Sequence, residues 1–333
     1  MEKVLVTGGA GYIGSITCKA LAANGYLPVT LDNLSLGHDW AVQWGPLVQA
    51  DLRDRSAVER ALAAHDIKAV VHFAASAYVG DSMRDPAAYY QNNVLTTLTL
   101  MDAMRTVGVD TMIFSSSCSV YGNPVRLPMD ETHPTGPLSP YGQSKLDSER
   151  ALSWYAQAYG FRWIALRYFN AAGADPDGQL GEDHDPETRI IPRAILASLG
   201  WAPRLEVFGG DYDTADGTAV RDYVHVSDLA EAHVRALTGL KQGLRSQVLN
   251  LGIGCGYSVL EVLNQVRKST GREVPYVLAP RRTGDPAVVI ANADAAVREI
   301  GWAPKHSSLE EIVQSAYLWH LKHLSPRHQA SAG

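Results

Sequence analysis

The chain has 333 residues, 46% of them hydrophobic and 19% charged, with a formal net charge of -6. That length supports a sizeable core and more than one domain, and the composition is that of an ordinary soluble globular protein. Lys and Arg are scattered singly or in pairs, which leaves no basic footprint for nucleic acid, and no apolar run approaches a membrane span. Cys18, Cys118 and Cys255 are odd in number and far apart. Their spacing argues against a disulfide framework or a metal site and fits a reducing cytosol. Met1 leads straight into a strand-like run, so no signal peptide is expected.

Residues 3–7 form a short apolar run, followed at once by Gly8-Gly9-Ala10-Gly11-Tyr12-Ile13-Gly14. A helix is predicted over 16–23 and a second strand over 27–31, ending in Asp32-Asn33. Strand, Gly-rich turn, helix, strand and acid make the dinucleotide-binding fingerprint in its expected context. The glycines let the backbone approach a pyrophosphate at the helix N-terminus. Asp32, eighteen residues beyond Gly14, stands where a carboxylate grips ribose hydroxyls and repels a 2′-phosphate. No Arg intervenes before Arg53, so NAD is expected over NADP.

The alternation continues with a strand over 46–50 ending at Asp51, a helix to about 64 opened by a Ser56-x-x-Glu59 capping box, and a strand over 68–73 ending in Ala74-Ala75. Helices are predicted over 92–107 and 141–159, with strands over 111–116 and 163–168. This order implies a Rossmann-type doubly wound parallel sheet, with ligands at the carboxyl ends of its strands. The 92–107 helix carries Val94, Leu95, Leu98, Leu100, Met101, Met104 and Val107, more than one apolar stripe. Either a homodimer or tight intrachain packing accounts for the surplus. Beyond Asn170 the rhythm changes: 174–187 reads as loop, helices are expected at 190–199 and 226–237 and a strand at 248–252, and Ser307-x-x-Glu310 caps a last helix. The expected division is 1–169, 223–252 and 304–333 for the nucleotide-binding domain, with 170–222 and 253–303 as a smaller interleaved α/β substrate domain.

Tyr141-Gly142-Gln143-Ser144-Lys145 follows Ser139-Pro140, a helix start that sets Tyr141 and Lys145 on one face. A phenol titrates near pH 10, and a neighbouring ammonium lowers that value, which makes a proton-transfer device for an alcohol. Tyr-x-x-x-Lys is common by chance, so its surroundings decide.

Those surroundings are Phe114-Ser115-Ser116-Ser117 and Gly8-x-x-Gly11-x-x-Gly14, and with them the whole chain resembles an extended short-chain dehydrogenase/reductase. Asp32-Asn33-Leu34, Val71-His72-Phe73-Ala74-Ala75, Arg167-Tyr168-Phe169-Asn170, Arg221-Asp222-Tyr223-Val224-His225-Val226 and Arg281-Arg282-x-Gly284-Asp285 narrow the likeness to the UDP-glucose (UDP-galactose) 4-epimerases. The resemblance implies Tyr141 as base, Lys145 tuning it and Ser117 holding the reacting oxygen. It also implies cofactor contacts from Gly8, Gly11, Tyr12, Ile13, Gly14, Asp32, Asn33, Asp51, Leu52, Phe73, Ala74, Ala75, Asn92, Ser115, Tyr141, Lys145, Tyr168 and Phe169. For the UDP-sugar substrate it implies Ser117, Tyr141, Asn170, Arg189, Arg221, Arg282, Asp285 and Val289. The implied reaction takes the C4 hydride to tightly bound NAD, swings the 4-keto sugar and returns the hydride to its other face.

The chain departs from the pattern in places. Ala77 stands where some members carry a cofactor-binding Lys, Arg189 where they carry an Asn facing the diphosphate, and Val289 where narrow-specificity members carry a Tyr. The smaller Val is expected to leave room for an N-acetyl group at C2. Cys118 and Ser119 replace the acids that dehydration or decarboxylation needs. A UDP-xylose/UDP-arabinose 4-epimerase stays open as a reading, as does a non-catalytic NAD-binding regulator.

Overall fold

The computed structural model describes residues 1–282 and 284–330, the stretch 324–330 by its backbone alone. The expected segment 304–333 therefore ends, at 331–333, outside the described residues.

The first half alternates as expected: β1 (Glu2–Thr7), α1 (Tyr12–Ala23), β2 (Tyr26–Asp32), β3 (Leu47–Gln49), α2 (Arg55–Ala64) and β4 (Ala69–His72). Two short helices follow, α3 (Val79–Arg84) and α4 (Pro86–Tyr89), then a π-helical turn (Tyr90–Leu95) that runs into α5 (Thr96–Val107). Next come β5 (Thr111–Ser117), α6 (Pro140–Tyr159) and β6 (Arg162–Tyr168). The second half contains β7 (Asn170–Ala172), α7 (Ile190–Ser198), β8 (Leu205–Phe208), β9 (Val220–Arg221), β10 (Tyr223–His225), α8 (Val226–Lys241) and β11 (Gln247–Leu251). It closes with β12 (Tyr257–Ser258), α9 (Val259–Thr270), β13 (Tyr276–Ala279), β14 (Val288–Val289), α10 (Asp294–Ile300) and α11 (Leu309–Ala330).

Seven strands form one sheet in the order β11-β6-β5-β4-β1-β2-β3. Every pairing in it is parallel. Its strands are buried on both faces. Val4 and Val6 join one apolar cluster with Leu21, Leu229 and Leu237, while Leu5 joins the opposite one with Leu62, Leu100 and Met104. Side chains on a strand alternate between faces, so a continuous apolar run serves both layers at once. The strand order reverses between β1 and β4, and the crevice there is where such a sheet takes its ligand.

That crevice rests on backbone touching backbone. A Cβ on Gly14 would lie 2.1 Å from the Gly8 carbonyl oxygen, and one on Gly8, at φ +71°, would lie 2.7 Å from the Ala74 nitrogen. Only glycine permits this approach of α1, β1 and the end of β4.

Several boundaries differ from the sequence reading. The helix predicted from 92 is α-helical only from Thr96, because Tyr90–Leu95 winds as a π-turn. The cap of α2 is Asp54, whose side chain accepts from Ala57 N, and not Ser56. In α11 it is Ser308 that accepts from the Glu311 N–H, while Ser307 donates to Asp228. The expected domain division fails at two helices. Ala296 and Ile300 of α10, placed in the substrate domain, pack into the sheet's core, whereas Leu309, Ile312 and Val313 of α11 pack with Ile191, Ile195 and Val262 of α7 and α9.

Gly14→Ala must force α1 off β1, so it is expected to cost about 1–3 kcal/mol of stability. Gly80→Ala, where a Cβ meets nothing within 4 Å, should not lower stability. Urea denaturation midpoints of the two variants check this; equal midpoints would contradict it.

Candidate active site

One cavity of about 540 Å³ opens at the carboxyl ends of the sheet strands, and every predicted site residue except Val289 lines it. Gly8, Gly11, Tyr12, Ile13 and Gly14 form one wall, with Asp32, Asn33, Asp51 and Leu52 at the ends of β2 and β3. Phe73, Ala74, Ala75 and Asn92 form another, and Ser115, Ser117, Tyr141, Lys145, Tyr168 and Phe169 meet across β5, α6 and β6. Asn170, Arg189, Arg221, Arg282 and Asp285 reach in from the second lobe.

The walls fit a dinucleotide. Helix α1 begins at Gly11 with no side-chain cap, so its first N–H groups face the cavity undisputed and favour a negative charge there. A Cβ on Gly11 would meet nothing closer than 3.4 Å, so its approach face is open. Asp32 is buried, its carboxylate accepting from Ala10 N at 3.1 Å and Leu34 N at 2.9 Å. Burial raises its pKa, and the backbone donors pull it back. Arg53 is bound to Asp51 through Nε at 2.8 Å and Nη2 at 2.7 Å, so its charge is already matched. This supports the preference for a free 2′-hydroxyl. Asn92 on the π-turn donates to Ser76 Oγ at 2.9 Å, and Asn93 donates to Ser144 Oγ at 3.0 Å, which ties that turn to α6.

At the reactive end, Ser139 caps α6 by accepting from Gly142 N, and Pro140 opens its first turn. Tyr141 and Lys145 are both buried on the face turned toward β5. Burial pushes the Tyr141 phenol up, while the nearby Ser117 hydroxyl and the charge of Arg189 pull it down. The buried Lys145 amine needs an acceptor and donates to the Ser115 carbonyl at 2.8 Å. Burial lowers the amine itself to about 7, against the pull of Glu149.

On the substrate side, Arg221 and Asp285 are one ion pair at 2.6 Å, and the Arg282 guanidinium lies 3.9 Å from the Phe208 ring centre. Arg189 Nε binds Glu182 at 2.9 Å, and its guanidinium lies over the Tyr12 ring. Glu182 and Glu187 in turn flank His184; against burial, they raise its imidazole to about 9. The ligand atoms of Glu182, His184 and Glu187 lie within 4.8 Å of one another, with Arg189 and the charged imidazole as their cations. Sequence reasoning found Arg189 by position but missed these partners, which lie in a segment whose acids follow no period. Val289 is corrected. It packs in an apolar cluster with Tyr121, Met129 and Phe169, and the cavity wall at that point is made by Phe169 and Cys118. The room expected from its small size is therefore not where the cavity opens.

The Lys145 amine has a stability consequence. The unfolded chain takes up a proton between pH 10.5 and about 7 that the folded chain does not. This group therefore opposes folding progressively as pH falls through that window, and fully below it. Lys145→Met should melt at a higher temperature than the parent below pH 7, with the gap closing toward pH 10.5. Thermal melts across that range check this, and a gap that widens with pH would contradict it.

Residues 4–252 match the model of the NAD dependent epimerase/dehydratase family. A UDP-glucose 4-epimerase of Rhizobium meliloti (strain 1021) is 51% identical, the alignment covering 96% of this chain and 97% of the relative. A crystal structure of UDP-glucose 4-epimerase from Brucella ovis in complex with NAD superposes with a TM-score of 0.94 at 49% identity, covering 96% of this chain and 98% of that one. The enzyme from Bifidobacterium longum, solved with NAD+ and UDP, gives 0.91 at 38% identity, over 97% and 99%. The arrangement of glycine turn, buried Asp32 carboxylate and Tyr141–Lys145 helix around one cavity agrees with these likenesses, and the chain belongs to the UDP-glucose 4-epimerases of the NAD dependent epimerase/dehydratase family.

Proposed function

We propose that Tyr141, Ser117 and Lys145 carry out the C4 epimerisation of a UDP-hexose that defines this family. The observation that supports it best is the meeting of the buried Tyr141 phenol and Ser117 in the same cavity as the uncapped start of α1. NAD held there supplies a hydride acceptor that later becomes the donor. Tyr141 takes the proton of the 4-hydroxyl as the C4 hydride leaves, and returns it after the 4-keto sugar has presented its other face. Ser117 holds the reacting oxygen. Lys145, with a pKa near 7, is charged in part of the neutral range, and its charged form favours the phenolate.

Turning the sugar over requires that its walls do not grip it. Anchorage falls instead to the nucleotide, whose diphosphate needs cations: Arg221, Arg282 and Arg189, with Asn170 beside them. Asp285 holds the Arg221 fork in place. Phe169 and Cys118 present a weakly interacting surface beside the reacting sugar.

We also read the chain as a homodimer in the cytoplasm. Much of the surplus apolar surface of α5 packs internally, with Leu100, Met101 and Met104 buried. Leu95 stays 51% exposed and Trp154 of α6 67% exposed. Apolar surface left open on these neighbouring helices supports a two-fold contact between copies. Three unpaired cysteines suit a reducing compartment, and among the described residues no helix is long and apolar enough to cross a membrane.

Tyr141→Phe should lower turnover of UDP-galactose to UDP-glucose by roughly 10²-fold or more while NAD still copurifies, as read from nicotinamide in a denatured extract. Turnover within a few-fold of the parent would remove Tyr141 from its role. Leu95→Glu combined with Trp154→Glu should give a monomer by light scattering, and an unchanged dimer would place the contact elsewhere.

A further inference from the structure

Three consecutive serines at the end of β5 each meet a different turn of α6. Ser117 and Tyr141 line the same cavity, the Ser115 carbonyl accepts from the Lys145 amine, and Ser116 donates to the Glu149 carboxylate. Positions 141, 145 and 149 lie on one helix face, one turn apart. The first two rungs belong to the site already described; the third does not. Glu149 is 4% exposed and forks onto Arg167 of β6, which binds it through Nε at 2.9 Å and through Nη2. Arg167 is 5% exposed, donates to the Tyr121 hydroxyl at 3.1 Å and stacks over that ring. Tyr121 donates onward to Asn250 of β11.

We propose that Glu149 is a positioning residue for catalysis: it fixes the register of α6 on β5 through Ser116 and supplies the negative charge that keeps the neighbouring Lys145 amine protonated. This rests on the reading of Tyr141 and Lys145 as the reactive pair. The groups around the amine leave Glu149 as the anion that does this. His72 of β4 is near enough to feel Lys145 but is driven down to about 3 by burial, so it stays neutral. Phe114 of β5 places an aromatic face 5.0 Å from the amine, Tyr141 lies a turn away on the same helix, and the Ser115 hydroxyl is engaged by Tyr168 of β6. Arg167 repeats the amine's own sign and is matched by Glu149. The carboxylate works against the burial that lowers the Lys145 pKa.

Removing that charge should let the amine lose its proton at lower pH. In Glu149→Gln, the alkaline limb of kcat, where activity is lost as Lys145 deprotonates, should move down by about one pH unit or more. At pH 8, kcat should fall about tenfold with KM within about twofold, since no substrate contact is lost. Glu149→Asp keeps the charge and should keep the limb near the parent's position, which a purely structural role does not predict. Glu149→Leu combined with Arg167→Met removes both charges and keeps the bulk, so it covers the case in which a lone buried Arg prevents folding. A downward movement is expected in it too, smaller because the Arg167 charge goes with that of Glu149. Lys145→Met separates the two readings. If it retains parental kcat, the assignment of the reactive pair fails. If it is inactive while the limb stays put in Glu149→Gln or in the double variant, the proposal for Glu149 alone is overturned.

Discussion

The chemistry of this chain depends on how one helix is seated on one strand. Helix α6 meets the end of β5 through an amine and a carboxylate, each held by its own polar group, and sets the Tyr141 phenol in the cavity that Ser117 also lines. A helix packed by apolar contact alone can slide and rotate by fractions of a turn, whereas a buried amine has to find an acceptor and a buried carboxylate has to find donors. The Lys145–Ser115 contact at 2.8 Å and the Arg167–Glu149 fork therefore set the register. Tyr141 then stands where the strand ends, with its oxygen turned to the cavity rather than to the core.

The second constraint is the glycine contact at the other side of the same crevice. Gly14 on Gly8, and Gly8 on Ala74, bring the start of α1 to the mouth of the sheet and leave its N–H groups open. An anion is drawn to that end by the helix's own partial charge, and the cations of the second lobe stand at the other end of the cavity. The two ends of the cavity thus hold opposite parts of the reaction. On the reading proposed above, the dinucleotide would sit on rigid backbone and the nucleotide sugar would hang by its diphosphate from arginines, leaving the hexose free to turn.

Legibility in the sequence followed the range of the interactions concerned. The strand–glycine–helix–acid unit was readable because each part is local: a φ only glycine adopts, an uncapped helix start, a carboxylate at the next strand end. Tyr141 and Lys145 were readable because four residues is one helical turn. What Lys145 binds was not, since the Ser115 carbonyl comes from a strand thirty residues away. Caps slipped where two suitable residues adjoin: Asp54 precedes Ser56, and Ser307 is withdrawn from capping by its bond to Asp228. Amphipathic patterns predicted helices at α10 and α11 but say nothing of the surface each covers, so both went to the wrong lobe. Val289 failed for a similar reason. Its two-residue strand is placed by pairing with β9, and that pairing turns the side chain into the Tyr121 cluster. Glu182 and His184 follow no period, and only the folded loop brings them to Arg189.

The central claim is that hydrogen leaves C4 as a hydride, is stored in the same cavity and returns to the same carbon. UDP-galactose carrying deuterium at C4 tests this most directly, with the UDP-glucose formed by the wild-type protein in ordinary water examined by mass spectrometry and proton NMR. The product is expected to keep its deuterium at C4. Replacement of the label by solvent hydrogen during turnover would show that C4 loses a proton instead, and would contradict it.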